Sequence, residues 1–386
     1  MKKLIKKLVN YLQKDSEDSC DFIVVALVTV LVIFGVVMVF SASYYKSINQ
    51  HGTPYYFLRK QAIFAVVGFI IMWVVSRIDY HVWKRFAKPI FFLNIVLLIL
   101  VLTPLGLEEN NARRALYLGV TVMPGELAKL STIIFTAAFL SRKSKIIYSF
   151  KKGILPMLCV MLCVGIPIIK QPNLSTALTV CAIVVGMMFV AGLQWRYVVG
   201  AAGTATGLIA FLVIFGSKIG GGHWKTRIVS FLDPFADALG DGYQVVQSLL
   251  ALGSGGLKGV GLGKSIQKTL YLPEPQNDFI LSIVGEELGL IGTLSLLIVF
   301  LILIWRCFYI AMNAKDRFGM YLTSGITLML GIQVIFNIAV VTSSMPNTGV
   351  ALPFISYGGN ALWMFMAAIG MLLNVSRKNN TESKIK

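Results

Sequence analysis

The chain has 386 residues, 56% of them hydrophobic and only 13% charged, with a mean hydropathy of +0.77. Soluble domains carry about 25% charged residues, so this composition excludes a soluble globular protein and puts the chain in lipid. The formal charge of +18 does not point to nucleic acid, because Lys and Arg fall in short clusters between apolar runs, as topology determinants do.

Ten apolar runs have roughly the length needed to cross about 30 Å of hydrocarbon. They lie near 22–41, 61–76, 89–105, 126–140, 153–169, 174–190, 198–216, 279–305, 318–342 and 360–375. The second and fourth are short enough for Gln61 or Lys129 to lie inside the span. A Lys-rich start and a polar stretch over 14–21 precede the first run, which therefore reads as a retained span and not a cleaved signal. The expected fold is an all-α integral membrane protein, a bundle of ten transmembrane helices packed as one domain over 22–375. Cysteines 20, 159, 163, 181 and 307 show no metal-ligand spacing and read as packing residues.

Counting Lys and Arg orients the bundle. With residues 1–21 cytoplasmic, that side holds 22 of them, against six in the short loops opposite: Lys46, Arg59, Lys60, Arg113, Arg114 and Lys170. The positive-inside rule then places both termini, including the tail 376–386, in the cytoplasm. Between spans 7 and 8 runs one long extracytoplasmic loop, 217–278. Its recurring aromatics (Trp224, Phe231, Phe235, Tyr243) argue for order, its stretch 241–251 for an amphipathic helix, and its glycines over 253–263 for turns or close backbone packing. A phosphate-binding Walker loop is excluded, since Lys258 stands where that motif needs glycine.

Carboxylates inside membrane spans are rare and mark function by default. Asp278 sits where the long loop meets the eighth span, either as a proton acceptor or as a helix-end residue favoured by the macrodipole. On a helix starting there, Glu286 lies about 80° round from Asp278 and Glu287 nearly opposite, so both cannot line one cavity. Glu287 reads as structural, paired with a cation or helix end from a neighbour. Glu126 and Lys129 are i, i+3 neighbours behind Pro124, either a neutralised bridge or the wall of an external cavity. Arg113 and Arg114 suit phosphate or headgroups.

Taken together, several stretches resemble the FtsW/RodA/SpoVE (SEDS) family. They are Ser41-Ala42-Ser43, Ala112-Arg113-Arg114, Glu126-Leu127-Ala128-Lys129 and Gln171-Pro172-Asn173. Further along stand Gly263-Lys264-Ser265-Ile266-Gln267-Lys268, Tyr271-Leu272-Pro273-Glu274, Asp278-Phe279 and the run from Thr348 to Gly359 that contains Ser356. The loop motifs look most like the division and sporulation branch. The chain departs from the family at Gly125 (usually Ser), Asn173 (Asp), Ala115 (often Trp) and Gln276-Asn277 (His-Thr).

The resemblance implies a peptidoglycan glycosyltransferase that polymerises lipid II, the polyprenyl-diphosphate-linked disaccharide peptide. Asp278 would be its base, and Arg113, Arg114, Glu126, Lys129, Glu286 and Ser356 its substrate-binding residues. No metal-ligand cluster or cofactor is demanded, though a divalent cation, Mg or Mn, on the substrate diphosphate is compatible with the chemistry. The implied partners are a class B penicillin-binding transpeptidase, other division membrane proteins and membrane lipid. The competing functions are a lipid II flippase and a non-catalytic division scaffold.

Overall fold

The computed structural model describes residues 20–109, 112–117, 119–142, 146–197, 199–200, 242–347 and 349–383, with isolated positions between 203 and 240. Most of the seventh predicted run, Trp224 and most of 217–241 lie outside the described residues. The other nine runs each overlap a helix. These are α1 (Phe22–His51), α2 (Tyr56–Arg77), α3 (Tyr80–Val101), α4 (Pro124–Leu140), α5 (Leu155–Lys170) and α6 (Leu174–Val190), then α8 (Ile280–Met312), α9 (Arg317–Val341) and α10 (Gly359–Ser383). In the loop, α7 (Tyr243–Gly255) occupies the place of the predicted amphipathic helix.

Helix starts follow local chemistry. Asp21, Asn173 and Asp316 cap α1, α6 and α9 by accepting backbone N–H groups, and Pro124 opens α4 at a position where its missing N–H is harmless. Among the described residues six helices are long and apolar enough to cross a membrane. The shorter α6 is also apolar, α3 carries Lys84, Arg85 and Lys88 in its first turns, and α4 holds a charge pair. Ile63, Val66, Ile70 and Trp73 form an exposed stripe on α2 at helical spacing, and Leu290, Leu294, Ile298 and Leu301 do the same on α8. Such stripes are what a lipid-facing surface requires. The interior is built around α9, which packs on α8, α6 and α4, and α10, which packs on α2.

Two features depart from the expected uniform helices. A small antiparallel sheet of β1 (Gly106–Glu109), β2 (Ala112–Tyr117) and β3 (Thr121–Val122), in that order, joins α3 to α4. Second, α8 is broken at Gly289, whose φ of 68° and ψ of −168° are not helical. The glycine-rich segment fills the break. Val260 and Gly261 donate to the carbonyls of Glu286 and Glu287, and Leu290 and Ile291 donate to Gly256 and Leu257. A Cβ on Gly289 would stand 2.3 Å from Gly259 N, and one on Gly259 2.2 Å from the Glu287 carbonyl oxygen. Only glycine lets these backbones meet, and the exchange gives partners to the carbonyls of Glu286 and Glu287 and to the N–H groups of Leu290 and Ile291 at the break, as a membrane interior demands. This is the close backbone packing expected of 253–263.

The bundle has two polar ends. At one, Asp21 accepts from Arg306 Nε at 2.7 Å and its N–H donates to Ser376, while Tyr80 OH donates to Asp316 at 2.6 Å. At the other end lie the segment leading into α8, the sheet, the starts of α4 and α6, and the segment before α10.

Candidate functional site

Asp278 is held by its backbone. Asn337 of α9 donates its Nδ2 to the Asp278 carbonyl at 2.8 Å and to the Val350 carbonyl at 2.7 Å. One residue earlier, the Asn277 carbonyl accepts from Ser356 Oγ at 2.7 Å, and Ser356 Oγ in turn accepts from Leu352 N. The Gln276 carbonyl accepts from Tyr357 N at 2.9 Å. Gln61 of α2 supports this run by donating to the Ser356 carbonyl. Ser356 therefore locks the segment that carries Asp278. Asn337, which the motifs did not single out, does the same from a helix, and its signal was only an amide inside an apolar run.

The Asp278 side chain is treated differently. It is half-buried, and no donor among the described residues reaches its carboxylate. Burial raises it from the ordinary carboxylate range to about 6; Arg114 opposes the rise, while Glu126 and Glu274 reinforce it. Asp278 precedes the first turn of α8, at the edge of the apolar layer. A carboxylate in this state is a base of moderate strength near neutral pH.

The fold gathers Arg114, Glu126 and Glu274 near it, and Lys129 pairs with Glu126. Arg114 lies on β2 and donates to the Pro172 carbonyl at 2.6 Å and the Gln171 carbonyl at 3.3 Å, which fixes the guanidinium beside the start of α6. Arg113 stands opposite Glu108 in the sheet register and is exposed. Neighbouring strand residues alternate faces, so the two arginines do not point the same way. Lys129 Nζ lies 2.7 Å from Glu126 Oε2, an ion pair whose approach is off the hydrogen-bond direction. The pair lines a small polar cavity with Ser175, Thr176, Thr179, Gln333 and the segment 349–351. The structure joins the two readings of Glu126 and Lys129: they form an ion pair and line a cavity. Gly349 connects the cavity to Asp278: with φ at +69°, a Cβ there would sit 3.0 Å from Asp278 Oδ2.

Glu286 and Glu287 lie elsewhere. Both oxygens of Glu286, which is 1% exposed, serve the loop: they accept from Ser265 Oγ, from Ile266 N at 2.8 Å and from Gln267 N. Glu286 is not among the residues lining the cavity. Glu287, fully buried, pairs with Lys268 at 2.7 Å, and Ser41 donates to both of its oxygens at 2.7 and 2.8 Å. Its expected cation exists, but it comes from the loop and not from a neighbouring span. Glu274 pairs with Lys46 and accepts from Gln276 and Asn277, which fastens the approach to Asp278 onto α1. Among the described residues no group of three His, Cys, Asp or Glu side chains is placed to hold a metal ion.

Comparison with known proteins agrees with this arrangement over nearly the whole chain. The FtsW/RodA/SpoVE family, described as cell cycle protein, matches residues 21–381. Stage V sporulation protein E of Bacillus subtilis is 40% identical over 361 residues, 93% of this chain and 97% of that protein. A probable peptidoglycan glycosyltransferase FtsW of Geobacter is 39% identical over 94% of this chain and 98% of its own length. Among solved structures, a chain of a peptidoglycan synthase complex that coordinates polymerization and crosslinking superposes with a TM-score of 0.77 at 27% identity, covering 94% of this chain and 98% of that one. The rod shape determining protein RodA of Thermus thermophilus superposes at 0.68, also at 27% identity and with the same coverage. Shared motifs, overall fold and full-length coverage place this chain in the FtsW/RodA/SpoVE family of membrane proteins.

Proposed function

We propose that this chain is a peptidoglycan glycosyltransferase that polymerises lipid II, with Asp278 as the general base. The observation that carries the reading is the Asp278 carboxylate, anchored through its backbone yet without a donor on its oxygens among the described residues, and with its pKa raised to about 6. The acceptor sugar's 4-hydroxyl gives its proton to Asp278 as its oxygen attacks C1 of the muramyl sugar, and the bond from C1 to the polyprenyl diphosphate breaks. Diphosphate is a good leaving group, so one base suffices, unlike glycoside hydrolysis with its two carboxylates. Arg114, the arginine on the Asp278 side of the strand, supplies positive charge for the departing diphosphate. A divalent cation carried on that diphosphate would share this task.

The names of the relatives support a role in division or sporulation, and the solved synthase complex supports a transpeptidase partner of the class B penicillin-binding type. The Lys and Arg distribution supports cytoplasmic termini, with the Asp278 end of the bundle outside. Purified protein in detergent, given lipid II with and without such a partner, tests the activity where there is no membrane to flip across. Glycan strands from the wild type and none from Asp278→Asn are expected. Equal product from both would return Asp278 to a helix-end role. No product from the wild type under either condition would favour the flippase or scaffold reading.

A further inference from the structure

The glycine-rich segment completes the α8 break with its backbone and leaves its large side chains on the surface. Leu257 is 67% exposed and Leu262 56%, and Val260 and Ile266 are exposed beside them. Lys258 and Lys264 are interspersed with these residues and are exposed as well. A cluster of exposed large apolar residues marks a surface made for lipid or for a partner.

Helix geometry fixes the depth of this segment. Asp21 caps α1 and pairs with Arg306 of α8 at one polar end of the bundle. At 1.5 Å per residue, Ser41 lies about 30 Å along α1 from Asp21, and Gly289 about 25 Å along α8 from Arg306. Ser41 donates to Glu287, so the two distances meet at the break. The hydrocarbon layer is about 30 Å thick. The break, and the glycine-rich segment bonded to it, therefore lie where hydrocarbon gives way to headgroups on the Asp278 side.

The irregular backbone fits that depth: it is excluded from lipid contact within the hydrocarbon layer, but at the edge water and headgroups reach its remaining N–H and C=O groups. Sideways, the segment continues a lipid-facing surface. Leu290 and Ile291 donate their N–H groups to Gly256 and Leu257, and the exposed stripe of α8 runs on from them through Leu294 and Ile298. A protein partner could also cover leucines. Continuity with the lipid stripe at headgroup depth, with two lysines that carry their charge on long apolar stems, is instead the composition of an interfacial anchor.

We propose that residues 257–266 form an interfacial lipid seat: Leu257, Val260, Leu262 and Ile266 lie among the acyl chains of the leaflet on the Asp278 side, and Lys258 and Lys264 bind phospholipid headgroup phosphates. The seat is tied to the candidate site. Ser265, Ile266 and Gln267 donate to Glu286, and Lys268 pairs with Glu287, so through this segment the leaflet holds the half of α8 that begins just after Asp278. The seat does not depend on the reaction proposed for Asp278.

Spin-label accessibility in phospholipid nanodiscs tests it on the full chain, with its five cysteines replaced by alanine and no lipid II present. Nitroxides on Leu257→Cys and Leu262→Cys should be relaxed several-fold more by oxygen, which concentrates in lipid, than by a water-soluble nickel chelate. Adding Lys258→Glu and Lys264→Glu should cut that preference by about 2-fold or more, because glutamate repels phosphate. A nickel preference in the lysine-containing chain puts the segment in water and overturns the proposal, and shielding from both reagents does the same by showing that protein covers it. An oxygen preference unchanged by the charge reversal overturns the headgroup sites at the two lysines. A preference that arises only when lipid II is added assigns the surface to that substrate and overturns the phospholipid seat. If the cysteine-free chain does not fold, a benzophenone side chain at position 262 of the otherwise native chain decides. Photocrosslinking to phospholipid, read by mass spectrometry, supports the seat, and its absence overturns it.

Discussion

Two groups of acidic residues sit at the same end of this bundle, and they are used in opposite ways. Glu286 and Glu287 are both essentially unexposed, and every carboxylate oxygen has a donor from the loop or from α1. Asp278 is less buried, yet its oxygens have no donor among the described residues and Glu126 adds like charge nearby. Burial and rarity in a membrane span therefore do not separate a structural carboxylate from a reactive one. Saturation does: a carboxylate whose oxygens are all taken by donors is spent on structure, whereas one left without donors is open to chemistry.

Substitutions at the two groups should fail in different ways. Asp278→Asn is expected to lower kcat by about 10² to 10⁴ with KM little changed. Relative to the wild type, the same variant should become more stable as pH rises. The folded-state pKa of Asp278 lies above its unfolded value, so ionising it between about pH 4 and 6 disfavours the fold, and asparagine escapes that loss. Melting temperatures of the two proteins should converge below pH 4 and separate above pH 6. Equal melting behaviour at all pH values would mean that Asp278 is as well satisfied as Glu287.

In the saturated group the loss should appear as stability. Lys268→Met strands the fully buried Glu287 carboxylate and is expected to cost about 3–5 kcal/mol, read as a large drop in thermal midpoint in detergent. Replacing both partners with apolar residues should restore much of it. Normal stability with abolished turnover in Lys268→Met would break the comparison and move Glu287 into the chemistry. Gly349→Ala is expected to act more mildly on the fold, by about 1–3 kcal/mol for its left-handed backbone. It should slow turnover further, since the new methyl would press on Asp278 Oδ2 at 3.0 Å. The smallest effect is on the wild type itself: kcat/KM should fall by half near pH 6 as Asp278 takes up its proton, and a profile flat down to pH 5 would sink its assignment as base.

Much of the fold was legible because a bilayer imposes length and apolarity on each span, and both are properties of consecutive residues. That is why nine of the ten runs coincide with helices. The hairpin between α3 and α4 was not legible: its strands are only four, six and two residues long and carry Glu108, Glu109, Arg113 and Arg114 in place of an alternating apolar pattern. The break at Gly289 was equally hidden, since hydropathy runs through it without interruption and the backbone that completes it comes from about thirty residues earlier. Ser41 stood out as part of a motif, but its duty toward Glu287 and Lys268 depends on three segments meeting.

What the sequence determined by itself is the class of molecule and the chemical inventory: a lipid-embedded bundle, a charge bias along its loops, a long loop ending in a carboxylate, and the motifs of one family. Only the tertiary structure decided which of those polar groups are spent on each other. Glu286 became the anchor of a loop, Glu287 half of a buried pair, and Arg114 and Glu126 neighbours of Asp278, while Gln333 was left with an oxygen facing a cavity. The physical reason is that hydrogen bonding and burial are pairwise and spatial. A residue's type states what it can donate or accept, and whether that capacity is consumed depends on partners distant in the chain, as Ser376 lies 355 positions from Asp21 and Glu287 246 from Ser41.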